Sequence, residues 1–329
     1  MATIKEVAKR TGMSPTTVSR VINNHPYVDD KKRRIVLEAM DELGYVPNSS
    51  ARRLRGQKTN TIAVIISRIV NPFFSHLVDA MELIAGEKGY QLILCDSRLD
   101  KERELRHLEL LKAKQVDGVI LASLQNDWET IKPFTKYGPI VMCNEYDRRA
   151  ELPMIRCNQY EGGYIGTKHL IEKGHTNIAY AGGANRIELT YDRWKGFMKA
   201  MDEHGLTIPD EWMFPSFYGI EDGKNIFHRI YAMQNGPTAI FAGGDEVAAG
   251  IIQEAKRFHC RVPDDLAVVG YDDQPLASLI DPGITTINQP TKLMGTRAME
   301  IMVDMIKNQR KVTFKEEILP LELVIRQST

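Results

Sequence analysis

Ile4-Lys5-Glu6-Val7-Ala8 opens a short helix, Gly12 breaks it, and Ser14-Pro15-Thr16-Thr17-Val18-Ser19-Arg20-Val21-Ile22 starts a second. Ser14 is placed to cap that second helix, because its hydroxyl satisfies a free backbone N–H. Pro15 sits at the first helical position, where the missing N–H costs nothing. Two short helices joined by a tight glycine-containing turn make a helix-turn-helix. Ile4, Val7, Ala8, Val18, Val21 and Ile22 recur at helical spacing and offer one small core. The opposite face of the second helix carries Thr16, Thr17, Ser19, Arg20 and Asn23, side chains suited to base edges and phosphates.

The charge distribution points the same way. Over the whole chain 43 Lys+Arg balance 43 Asp+Glu, which is uninformative until the chain is divided. Residues 1–59 hold 12 Lys+Arg against 6 Asp+Glu; the remaining 270 residues hold 31 against 37. A basic head on a mildly acidic body is the asymmetry of a nucleic-acid binder.

Lys5-Glu6-Val7-Ala8-Lys9-Arg10-Thr11-Gly12-Met13-Ser14-Pro15-Thr16-Thr17-Val18-Ser19-Arg20-Val21-Ile22-Asn23 resembles the headpiece of the LacI/GalR family of bacterial transcriptional regulators. Leu43-Gly44-Tyr45-Val46-Pro47-Asn48, followed by Ala51 and Leu54, is similar to the end of that family's third helix and its hinge. Weaker body motifs follow in the family's order: Asn71-Pro72-Phe73-Phe74, Val116-Asp117-Gly118-Val119-Ile120, Gly174-His175, Val269-Gly270-Tyr271-Asp272-Asp273 and Thr286-Ile287-Asn288-Gln289-Pro290. The resemblance therefore spans essentially the whole chain. It implies a DNA-contacting set of Thr3, Ser14, Pro15, Thr16, Thr17, Ser19, Arg20, Asn23 and Tyr27, joined from the linker by Asn48, Ala51, Arg52, Leu54 and Arg55.

Three segments are expected: a headpiece over 1–47, a hinge over 48–59 and a body over 60–329. A third headpiece helix over 30–44 offers Ile35, Leu37, Ala39, Met40 and Leu43 as its apolar stripe, with Gly44 as its stop. Lys31, Lys32, Arg33 and Arg34 lie in its first turn, where cations oppose the helix dipole. Nearby phosphates would repay that conflict; a solvated charge run is the alternative. Ser49-Ser50-Ala51-Arg52-Arg53-Leu54-Arg55-Gly56 is basic, helix-competent and too short to be stable alone. The resemblance implies that it folds on operator DNA with Leu54 wedged into the minor groove; the alternative is a plain tether.

From Thr61 onward strands and helices alternate. Strands are expected at 62–66, 91–95, 118–122, 139–143, 177–181, 238–242, 266–270 and 284–287. Helices are expected at 73–88, 101–114, 160–173, 189–204, 221–234, 245–258 and 290–307. This is the pattern of parallel sheets with helices on both faces. There are too many units for one sheet. The expected fold is an all-α helix-turn-helix headpiece plus an α/β body of two doubly wound parallel-sheet subdomains of periplasmic-binding-protein type. Helix 290–307 should then rejoin the first subdomain. Cys95, Cys143, Cys157 and Cys260 show no metal-ligand or CxxC spacing and read as buried free thiols, which fits a reducing cytoplasm. No run of 18 apolar residues exists, and the polar N-terminus lacks a signal-peptide core, so neither membrane nor export is expected.

Ligands of open parallel sheets bind beyond the carboxyl ends of the strands. The residues there are Asn71, Phe73, Phe74, Asp96, Ser97, Asn144 and Glu145 in the first half, and Arg186, Arg193, Phe217, Tyr218, Asp245, Asp272 and Asp273 in the second. Carboxylates accept from paired hydroxyls, a guanidinium donates in parallel, and an aromatic ring offers a flat apolar face. That mixture suits a sugar or similar polyol. The resemblance implies an effector set of Asn71, Phe73, Arg193, Phe217, Asp245, Asp272 and Gln289. Arg193 could equally be a structural ion pair, Asp272 a turn residue and Asp245 a helix N-cap.

The expected function is a cytoplasmic, homodimeric transcriptional regulator, a repressor, that binds a palindromic operator under control of a small-molecule effector. Tetramers are not expected, since no heptad segment follows Ile325. The alternative is a pleiotropic regulator that answers to a protein partner. Glu300 and Asp304 on helix 290–307 count against an acidic partner there. No GxSxG, Walker A, HExxH or GxGxxG motif occurs, and Gly162-Gly163-Tyr164-Ile165-Gly166 reads as a packing feature. Neither an enzyme, nor a cofactor, nor a metal site is expected.

Overall fold

The computed structural model describes residues 2–22, 25–45, 58–182, 187–214, 219–308 and 316–329. The chain divides into two compact units, Met1–Thr59 and Asn60–Thr329.

In the first unit the helices are Ile4–Thr11, Pro15–Ile22 and Asp30–Glu42. Thr3 and Glu6 form a reciprocal capping box at the first helix, and Gly12 ends it in the left-handed conformation at φ 66°. Val7, Ala8, Val18, Val21, Val36 and Ala39 are the core. The stripe of the third helix differs from expectation. Val36 is fully buried, whereas Leu37 is 51% and Leu43 36% exposed. The helix also stops at Glu42, with Leu43 as its C-cap. Its four cations are accommodated by Asp29, the N-cap, which accepts from the Lys32 N–H at 2.9 Å and pairs with the Lys32 ammonium at 2.9 Å.

The second unit holds two six-stranded sheets. In chain order the strands are β1 (Thr61–Ile66), β2 (Gln91–Asp96), β3 (Gly118–Leu121), β4 (Ile140–Cys143), β5 (Met154–Cys157), β6 (Ile178–Ala181), β7 (Met213–Phe214), β8 (Ala239–Ala242), β9 (Ala267–Asp272), β10 (Thr285–Asn288), β11 (Glu316–Leu319) and β12 (Glu322–Val324). The first sheet runs β11-β5-β4-β3-β1-β2 and the second β12-β10-β9-β8-β6-β7. All pairings are parallel except β10 with β12. β1 lies between β2 and β3, with Val64 opposite both Leu94 and Ile120. All six of its residues are buried, as a strand covered on both faces requires.

Helix Thr291–Asn308 packs on the first sheet, burying Met294, Ala298, Met299 and Met302 beside Ile120, Val141 and Ile155. The chain thus crosses between the sheets after β5, after β10 and between β11 and β12. β5, β7, β11 and β12 are strands that the alternation of the sequence did not reveal.

Candidate functional site

In the headpiece the Ser14 hydroxyl accepts from the Thr17 N–H at 3.1 Å and lies 2.9 Å from the Thr17 hydroxyl. This cap leaves Pro15, Thr16 and Arg20 exposed on one side of the second helix while Val18 and Val21 are buried on the other. Thr3 is engaged in its own capping box. Tyr27 is 90% exposed and lies against His25. Among the described residues Arg20 has no salt bridge. Thr16, Ser19, Arg20 and Tyr27 therefore present donors, acceptors and an aromatic edge outside the core, as base and phosphate contacts demand. Asn23, Asn48, Ala51, Arg52, Leu54 and Arg55 lie outside the described residues.

In the body a cleft of about 700 Å³ opens between the two sheets. That lies inside the range of about 300–1,000 Å³ typical of small-molecule sites. Asn71, Phe73, Arg193, Asp272 and Gln289 line it, drawn from both halves of the chain. Phe217, with Arg186 and Tyr218, lies outside the described residues.

Arg193 is positioned by backbone contact between two helices. A Cβ on Gly163 would stand 2.0 Å from the Arg193 carbonyl oxygen, and one on Gly196 would stand 1.9 Å from that of Tyr160. Only glycine permits helices Gln159–Glu172 and Glu188–Glu203 to approach this closely. The glycine cluster at 162–166 is indeed a packing feature. The Arg193 guanidinium lies 3.4 Å over the Tyr271 ring. Its Nε and Nη2 donate to Gln159 Oε1 at 3.2 and 2.7 Å, and Nη1 donates to the Gly243 carbonyl at 2.7 Å. These acceptors are all neutral, so Arg193 is not a structural ion pair.

The network continues across the cleft wall. Tyr271 Oη also donates to Gln159 Oε1, at 2.8 Å. Gln159 Nε2 donates to Gln289 Oε1 at 2.9 Å, and Gln289 Nε2 to Asp272 Oδ1 at 2.7 Å. Gln274 Nε2 bridges Asp272 Oδ2 at 3.3 Å and Asn71 Oδ1 at 3.4 Å, which links the second half to the first. Asn71 also caps helix Pro72–Glu87, accepting from the Phe73 N–H at 2.9 Å. Asp272 stands at the end of β9 with φ 100°, a turn conformation that aims the carboxylate into this network. Burial pushes its carboxyl up to about 6, against the pull of Arg193 and of the Gln289 and Gln274 amides.

Asp245 is placed elsewhere. It is fully buried behind the cleft wall, accepting from the Thr286 hydroxyl at 2.6 Å and the Gln274 N–H at 2.7 Å. Burial, reinforced by Asp272, pushes its carboxyl up to about 8. The N-cap is Gly244, and Asp245 is the first helical residue. Successive residues on a helix point about 100° apart, so it is Glu246 that lines the cleft. Gln159, Tyr271, Gln274 and Glu246 are the participants that sequence reasoning missed. Glutamines have no motif to announce them, but position 159 follows strand Met154–Cys157, and recognising that strand would have exposed it.

A clasp joins the two halves at the cleft edge. Tyr146 Oη donates to Asp192 at 2.6 Å, and Arg148 pairs with both Asp192 and Glu188. No group of His, Cys, Asp and Glu fit to hold a metal occurs among the described residues, and no helix there is long and apolar enough to cross a membrane.

A DNA-reading headpiece ahead of a two-sheet body with a polar interior cleft defines a ligand-responsive transcriptional regulator. Residues 3–48 match the family described as bacterial regulatory proteins, lacI family, and residues 167–329 match the periplasmic binding protein-like domain. The chain is 43% identical to the NTD biosynthesis operon regulator NtdR of Bacillus subtilis (strain 168) over the full length of both. It is similar to the lac repressor dimer bound to operator and the anti-inducer ONPF, with TM-score 0.85 and 26% identity over 99% of this chain and 98% of that one. It is also similar to the complex of the transcriptional regulator CelR with cellobiose, with TM-score 0.75 and 28% identity over the whole of both chains. The chain belongs to the LacI family of bacterial regulatory proteins.

Proposed function

We propose that this chain is a cytoplasmic repressor that binds a palindromic operator as a homodimer and releases or tightens its hold when a polyhydroxylated small molecule enters the body cleft. The observation that carries the effector half is the chain of hydrogen bonds from Arg193 through Gln159 and Gln289 to Asp272 along the cleft wall. A guanidinium has five N–H donors, and the contacts to Gln159 and Gly243 use three of them, so two remain to meet a ligand. Neighbouring hydroxyls of a sugar match such fixed pairs of donors and acceptors. Sugar-bound relatives such as the CelR–cellobiose complex support this reading.

Operator contacts are assigned to Thr16, Thr17, Ser19, Arg20 and Tyr27, with Asn23, Asn48, Ala51, Arg52, Leu54 and Arg55 completing the set. Pro15 shapes the start of the recognition helix. Thr3 and Ser14 act through the caps that hold both helix starts. Effector contacts are assigned to Asn71, Phe73, Arg193, Asp272 and Gln289, with Phe217 beside them; Asp245 supports the wall. A ligand shifts DNA affinity only as far as it binds the two body states unequally. The test is selection of bound sequences from random duplex DNA, followed by operator affinity with and without a sugar panel. A palindromic consensus whose affinity changes with one sugar is expected. An unchanged affinity across mono- and disaccharides would reject effector control.

A further inference from the structure

Three carboxylates that line the cleft lack a salt bridge. Glu145, directly after β4, is 8% exposed and accepts only from the Leu124 N–H. Glu246 is half-buried and forms no hydrogen bond or salt bridge among the described residues. Asp272 is held by two neutral amides. The two cations at the cleft do not neutralise them. Arg193 is committed to Gln159 and Gly243, and Arg68 is an exposed rim residue that meets Glu246 only at long range. A second, independent feature lies beside Glu145. Asn144, 5% exposed and in the left-handed conformation at φ 72°, lines the same cleft with its Oδ1 buried and lacking a hydrogen-bond donor. Its Nδ2 is turned back to the Ala122 carbonyl.

Buried acceptors without donors are costly, and buried carboxylates without cations more so. A neutral sugar hydroxyl donates one hydrogen bond and brings no charge. An ammonium donates three and neutralises a carboxylate, as charge-assisted bonds do best in a partly dry site. We propose, building on the sugar-effector reading above, that the cleft takes an amino sugar, with a protonated amine seated against Glu145 and Asn144 Oδ1 on the side of the first sheet and the far end of the ligand facing Glu246 and Asp272. Burial without a cation pushes the Glu145 carboxyl up to about 8, the mark of a carboxylate that an arriving cation would stabilise.

The test uses the full-length protein and calorimetric titration with matched triples. These are glucose, glucosamine and N-acetylglucosamine, and then cellobiose, its di-glucosamine counterpart and N,N′-diacetylchitobiose. The amine of at least one triple should bind at least about ten-fold more tightly than both its hydroxyl and its N-acetyl counterparts, the low end for a close charge pair. Glu145→Gln should erase that preference while keeping the neutral parent within about three-fold, and Glu246→Gln should weaken it. If a neutral or acetylated sugar binds as tightly as its amine, or if the preference survives Glu145→Gln, the amino-sugar inference fails while the sugar-effector reading stands. If no member of either triple binds, both fail.

Discussion

In the headpiece the buried side chains are Val7, Ala8, Val18, Val21, Val36 and Ala39, and every group suited to DNA stands outside that core. In the body the order is reversed. The functional groups are interior ones: Gln159 is fully buried, Gln289 4% exposed and Arg193 6% exposed, and they are bonded to one another across more than a hundred residues of sequence. A DNA surface is flat, charged and met from outside, so its reader needs only a small rigid support. A small ligand must be surrounded, so its reader must bury polar groups, and buried polar groups have to satisfy each other. The first kind of site tolerates change one residue at a time; the second behaves as a unit.

Mutations that break the interior should therefore have the larger effects. The largest is expected for Gly196→Ala, whose methyl group would collide with the Tyr160 carbonyl. It should destabilise the body by about 3 kcal/mol or more, the upper end for overpacking. Trp128, Trp194 and Trp212 all lie in the body, so urea unfolding followed by tryptophan fluorescence reads this unit alone. An unchanged midpoint would show that the two helices can separate freely. Arg193→Ala follows, with a loss of about 3 kcal/mol in effector affinity from several hydrogen bonds to a charged donor. The operator-affinity ratio with and without effector should fall to one.

Glu145→Gln should act in the opposite direction on stability. A carboxyl whose folded-state pKa is raised from 4.5 to about 8 makes the native state hold a proton that the unfolded state releases. Stability from that group is fully present below about pH 4.5 and is lost as the pH rises through about 8. The variant should match wild type at pH 4.5 and exceed it at pH 8 by on the order of 2 kcal/mol. Equal thermal midpoints at pH 8 would refute the unneutralised-carboxylate picture. The headpiece changes come next. Arg20→Ala should cost about 1–3 kcal/mol at a single base-pair position, whereas a uniform loss over all sequences would make it a phosphate contact. Smallest is Ser14→Ala, about 1 kcal/mol from the lost cap, read as a lower melting temperature of the headpiece circular dichroism with the body transition unmoved.

The contrast also explains what could be read from the sequence. The headpiece was legible because its determinants are local: a cap, a proline, a glycine turn and apolar residues at helical spacing. The body's alternation was legible for the same reason. Met154–Cys157 escaped because it carries Arg156, whose buried guanidinium pairs with Glu316 and stacks 4.5 Å from the Tyr146 ring. Glu316–Leu319 escaped because it is an edge strand with Ile318 half exposed, so no apolar run marks it. In the cleft, Asn71, Phe73, Arg193, Asp272 and Gln289 were recognised, but Asp245 was assigned one position too early. A helix start has no period by which to tell its inward first residue from its outward second. Gln159 and Gln274 could not be found at all, since their role exists only through residues distant in sequence.

The return of helix Thr291–Asn308 to the first sheet has a consequence for synthesis. The chain leaves that sheet after Cys157 and comes back to cover it only at Thr291. At about 5–20 residues per second a ribosome takes roughly 7–27 s to make the intervening stretch. During that interval the face that will receive Met294, Ala298, Met299 and Met302 has no cover, and the edge that will receive β11 is unpaired. The headpiece, all of whose contacts are local, is complete long before. A nascent chain thus carries a finished DNA reader on an unfinished switch, and for those seconds the exposed apolar sheet is the surface that a trigger-type chaperone would have to shield.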